Sequence, residues 1–116
     1  MSYQETRQIQ TEEIASGTSL TGAIDLTGLW LLAIQLPATW TAANLSFQGS
    51  ADGVTYANVY EGHVELTAIA AAGYFTILPP NISHCIKYLK IRSGTGAVPV
   101  NQGGDRVLTL ITRPMD

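Results

Sequence analysis

Turn-forming residues recur so often in this chain that few folds can accommodate it. Ser16-Gly17, Thr27-Gly28, Pro37, Ala51-Asp52-Gly53, Ala72-Gly73, Pro79-Pro80-Asn81, Ser93-Gly94-Thr95-Gly96 and Gln102-Gly103-Gly104-Asp105 break it at short intervals. Each break supplies Gly, Pro, Asn, Asp or Ser, residues that set or tolerate the dihedral angles of tight turns. The segments between them run about five to nine residues and are rich in Ile, Val, Leu, Thr and Tyr, as strands are. None sustains a 3.6-residue period. The Ala-rich stretch 68–72 is too short to hold a helix and runs into Gly73.

Alternation within the segments predicts where strands lie. Residues 29–36 are apolar on both alternating faces, with Trp30, Leu32, Ile34 and Leu36 set against Leu29, Leu31 and Ala33. That pattern marks a central strand covered on both sides. Residues 45–49 and 54–60 flank Ala51-Asp52-Gly53 and predict a hairpin, because Asp-Gly accepts the positive φ of a tight turn. Residues 64–68 predict a strand with Val64, Leu66 and Ala68 inward and Glu65 and Thr67 outward. Residues 74–78 place Phe75 and Ile77 together, residues 86–92 oppose Leu89 and Ile91 to Lys90 and Arg92, and residues 106–113 oppose Leu108 and Leu110 to Val107 and Ile111. Weaker strands fall at 8–14 and 20–26. About eight or nine strands with no crossover helix predict an all-β antiparallel β-sandwich, with a jelly roll favoured over an immunoglobulin-like arrangement. Residues 1–7 read as a polar N-terminal arm and 8–116 as one sandwich domain.

Composition bears on function through charge. Only 13 % of the residues are charged, against about 25 % in an ordinary soluble domain. A small domain has proportionally more surface than a large one, so it needs more charge to stay soluble alone. Small neutral residues take the place of the missing charges, and such a surface suits burial against other chains. The net charge of −3 offers no field to nucleic acid or to anionic membranes. No apolar run approaches the roughly 18 residues of a membrane span, and the first residues lack an apolar signal core, so the chain is expected to be soluble and made in the cytoplasm. The single Cys85 permits no internal disulfide. Beside Ile86 in a strand-like run, it is expected to be a small buried residue rather than a nucleophile.

Catalytic patterns are missing. His63, His84 and Cys85 have no metal-ligand spacing, and adjacent strand residues 84 and 85 are expected to face opposite ways. No Gly-x-Ser-x-Gly occurs, the carboxylates fall mainly at turns or near the N-terminus, and Gln102-Gly103-Gly104-Asp105 lacks the Lys and helix of a phosphate loop. Asp52-Gly53 is accounted for by turn chemistry without calcium. Lys87, Lys90 and Arg92 are expected to form a solvated or sheet-edge stripe rather than a phosphate track. No catalytic, cofactor or metal residue is assigned. For a contact or sugar-stacking surface the candidates are Trp40, which lies between two turns, with Tyr56 and Tyr60.

Residues 45–60 (LSFQGSADGVTYANVY) resemble the Ser-x-Asp-Gly-x-x-aromatic hairpin of discoidin-like, galactose-binding-type jelly rolls. Together with 36–43, 88–95, 99–102 and 106–113, they resemble small virion proteins encoded among the structural genes of tailed bacteriophages. The resemblance implies a non-enzymatic virion protein, foremost a capsid decoration or cement protein, whose partners are major capsid or tail proteins and itself. It implies location in the virion after synthesis in the host cytoplasm. The alternative is a carbohydrate-binding or tail- or spike-associated module, with a glycan as ligand. The arm and first strand, residues 1 to about 14, are expected to add a strand to a neighbour's sheet edge.

Overall fold

A computed structural model describes residues 5–115. Five longer strands form its frame: β1 (Gln8–Ile14), β3 (Leu29–Gln35), β4 (Leu45–Ser50), β10 (Tyr88–Ser93) and β11 (Arg106–Pro114). Between them lie β2 (Ile24–Asp25), β5 (Ala57–Asn58), β6 (Tyr60–Glu61), β7 (Val64–Glu65), β8 (Thr67–Ala68), β9 (Phe75–Ile77) and one short helix, α1 (Asn81–Cys85). Every pairing is antiparallel. The all-β antiparallel class is therefore as the turn spacing predicts.

Sheet A runs β1-β11-β3-β9; sheet B runs β2-β10-β4-β5 with β8 also on β4; β6 and β7 make a separate ribbon. Alternation directs Ile14, Ile34, Leu108 and Leu110 of sheet A into the same core as Ile24, Leu45, Phe47, Leu89 and Ile91 of sheet B. Loops are tied to this frame by buried polar groups. The Gln102 side chain, 1 % exposed, accepts the Thr41 N–H at 2.8 Å and donates to Thr41 O at 3.1 Å and Ser93 Oγ at 2.6 Å. It ties the loops at Thr41 and Gln102 to the end of β10 and satisfies backbone groups of Thr41 that would otherwise be left unpaired.

A bulge in sheet A has a specific partner. Ile111 pairs Ala33 but Thr112 pairs Leu31, so Leu32 is the extra residue. Ser83 in α1 accepts the Leu31 N–H at 2.7 Å. Leu78 N donates to Leu32 O at 3.0 Å. Pro80, whose ring already holds the required φ (−66°), stands at the helix N-cap, and Ile86 leaves the helix in an extended conformation.

Several expectations are corrected. Residues 81–85 are a helical turn, not a turn leading into a strand, so His84 and Cys85 do not alternate across a sheet; both are exposed. Residues 54–60 are not a continuous hairpin arm, since only Ala57 and Asn58 pair with β4. Residues 64–68 form two short strands: Leu66 and Ala68 pack against the core and Thr67 is exposed as expected, but Val64 is exposed while Glu65 turns to Arg92. Finally, β10 is an interior strand of its sheet, and Arg92 is buried rather than part of a solvated stripe. The expected strand 20–26 shrinks to β2 plus one bridge from Leu20 to Arg92. The expected arm falls partly on residues 1–4, which lie outside the described residues. Residues 8–14 pair with β11 along one side and form an edge strand of sheet A.

Candidate functional site

The two sheets differ on the sides that face away from the core. On sheet B, Arg92 projects outward beside its pairing partner Ser46. Its Nε donates to Ser46 Oγ at 2.9 Å, Nη1 to Asn58 Oδ1 at 2.9 Å and Nη2 to Glu65 Oε2 at 3.0 Å. The same Glu65 oxygen accepts the Gly96 N–H at 2.8 Å. Chain from β5, β7 and the 94–99 loop thus closes over that side. With every guanidinium nitrogen engaged, the cluster is a cross-link and has no group free for chemistry.

Among the described residues, sheet A is covered on its outer side only at one end, where Pro80 and His84 stand beside Trp30 and Leu32. Residues directly opposite in a ladder share a face, so register reads its outer side row by row. One row is Ile9, Ile111, Ala33 and Ile77; the next is Thr11, Thr109, Gln35 and Phe75; Glu13 and Val107 close one end. Ile9 is 74 % exposed, Ile77 80 % and Phe75 55 %. Arg113, paired with Trp30 beyond the bulge, closes the other end. Large apolar side chains thus stand on a four-stranded face whose strands carry two outward ionised groups, Glu13 and Arg113, at opposite ends. At the Arg113 end, Trp30 meets the His84 ring edge-on at 4.7 Å, and these two with Leu32, Pro80 and Arg113 line a depression of about 280 Å³. At the Glu13 end, Gln35, Pro37, Gly73 and Val107 help line another of about 500 Å³.

The aromatics singled out from sequence lie elsewhere and in unlike settings. Trp40 is 6 % exposed, its indole N–H donating to Ala43 O at 3.0 Å. It is core, with no ring face open to a sugar. Tyr56 is half-buried beneath Lys90, whose Nζ stands 4.3 Å from the ring centroid; its hydroxyl is buried without a hydrogen-bond partner. Tyr60 is exposed and borders a depression of about 300 Å³ with Ile82 and Cys85. The outer face of sheet A was signalled in sequence by the two-sided apolar pattern of 29–36 and by Phe75 and Ile77 at alternate positions. Knowing that those positions point away from the core required the pairing.

Asp52 acts within its own turn. Its Oδ1 accepts the N–H groups of Thr55 at 2.9 Å and Val54 at 2.8 Å and the Ser50 hydroxyl at 3.0 Å. These bonds hold its carboxyl below the usual range, the Thr55 amide first among them. Among the described residues no three His, Cys, Asp or Glu converge as a metal site, and no helix is long and apolar enough to cross a membrane. The chain matches no family model, no curated protein and no solved structure.

Proposed function

We propose that the chain is a non-enzymatic structural subunit that works by packing against other protein chains through the outer face of sheet A. One observation carries this reading. Ile9 on β1, Val107 on β11 and Phe75 and Ile77 on β9 stand exposed together on the outer side of sheet A. Contiguous exposed apolar surface of this kind is kept for association, and a charge content of 13 % points the same way.

For the setting we propose a bacteriophage particle, with capsid decoration or cementing as the role. The resemblance of residues 45–60 and the later segments supplies that setting. Strand pairing is in keeping with it: β1 joins β11, β2 joins β10, β3 joins β9 and β4 joins β8. One long ribbon folded across two sheets has this nested order, which supports a jelly roll, an architecture common among capsid domains, over an immunoglobulin-like sandwich. Cementing proceeds by repeated contacts of modest area that add avidity. Particles purified from a phage carrying this gene should contain the protein in many copies, and Ile77→Lys should abolish its incorporation without unfolding it. Particles lacking the protein, or incorporating the variant equally, would overturn the reading.

A further inference from the structure

We infer that the occupant of the outer face of sheet A is a second copy of this chain, packed face to face about a two-fold axis running across the strands. This rests on the reading that the face is an interface and adds the identity of its partner. Three observations favour a self-pair.

Charge comes first. On the outward side of sheet A the ionised side chains are Glu13 on β1 and Arg113 on β11, at opposite ends of neighbouring strands. An axis across the strands reverses one copy on the other. Each Arg113 end then lies over the other copy's Glu13 end, and no like charges meet. An axis along the strands would instead stack like ends, so the charges select one arrangement.

Shape comes second. The middle of the face is neutral and largely apolar: Ile9, Ile77, Phe75 and Val107 are exposed on the strands around the small Ala33. Two such surfaces interdigitate as inner sheet faces do, about 10 Å apart. A partner of another kind would have to bring a similarly uncharged and apolar surface of matching shape. A second copy has one already, as the isologous contacts of two-fold dimers require.

Area comes third. Four strands of up to about 20 Å at about 4.8 Å spacing give a face near 20 by 20 Å. That is about 400 Å² in plan, which side-chain relief and the two end depressions raise toward the small end of a standard interface, about 600 Å² per partner. The dimer should therefore dissociate on dilution and respond to single substitutions.

Sedimentation velocity of the purified full chain over a wide concentration range tests this. Twice the chain mass is expected at high concentration, with dissociation on dilution. Ile77→Lys should weaken the dimer at least roughly tenfold by placing a charge in a desolvated face. Val54→Lys, off this face and 82 % exposed, should leave it unchanged. Glu13→Arg and Arg113→Glu should each weaken it, and the double exchange should restore it. That rescue needs no variant that disturbs the core. A chain that stays monomeric throughout, or charge exchanges that fail to compensate, would overturn the self-pair. A monomer still incorporated into particles, and lost from them on Ile77→Lys, would overturn the second copy alone and leave the face as the contact with another chain. A dimer absent from particles would overturn the virion reading alone.

Discussion

Arg92 Nη2 lies 3.0 Å from Glu65 Oε2, with both side chains largely withdrawn from solvent, 7 % and 16 % exposed. This pair fastens β7 over sheet B, from a segment whose own strands are only two residues long. Burying ions is costly, and the geometry offsets that cost only while each has its partner. Glu65→Ala leaves the guanidinium buried without its counter-charge and should destabilise the fold by about 3 kcal/mol in urea titration. Glu65→Gln, which keeps an acceptor, should lose less.

Ser83 is a second cross-link, from α1 to the bulge in sheet A. Its hydroxyl is the acceptor for the Leu31 N–H, which the register shift removes from the ladder. Ser83→Ala orphans a buried donor and should cost roughly 1–3 kcal/mol, read as a lowered urea midpoint. Ser83→Thr, if its added methyl is accommodated, should recover most of the loss.

Gly94 has φ +92°. A Cβ there would sit 2.5 Å from Val98 O and 2.7 Å from Val100 N. Backbone surrounds it, so nothing can swing aside. Gly94→Ala should destabilise by roughly 3 kcal/mol, whereas Gly17→Ala, with φ +78° but open space, should cost about 1 kcal/mol.

Asp52 sets a pH dependence. Its folded-state pKa is depressed by amide and hydroxyl donors, so the unfolded chain binds the proton more readily. The resulting stabilisation is fully present above the ordinary value of 3.8 and is lost as pH falls below it through the folded pKa. Asp52→Asn keeps the acceptor oxygen without the charge. Its urea midpoint should lie below that of the parent at neutral pH, and the gap should close as acidification carries the parent through its depressed folded-state pKa. A gap that widened in acid would reverse the sign.

Legibility in the sequence followed how far local pattern alone determines structure. β10 and β11 were readable from alternation, β3 from a continuous apolar run and β4 from the turn residues beside it, with β1 only weakly marked. Residues 54–68 were not, because long-range polar partners decide which way their side chains turn. Nothing near Glu65 announces Arg92, and a period-two reading sends Val64 inward when it is exposed. A helix of five residues has no period to detect, so α1, and with it the exposure of Cys85, was hidden behind Pro79-Pro80. The candidate face was half legible. Its apolar residues stand out in sequence, but only the rows Ile9–Ile111–Ala33–Ile77 and Thr11–Thr109–Gln35–Phe75 show that they share one open side. Choosing aromatics by their place near turns selected Trp40, which the core absorbs.

The central claim is that the outer face of sheet A disappears against another chain. Hydroxyl-radical footprinting of Phe75, 55 % exposed in the single chain, tests it most directly. Phe75 should be labelled readily in dilute protein and protected several-fold in the assembled state. Equal labelling of Phe75 in both states would contradict the account.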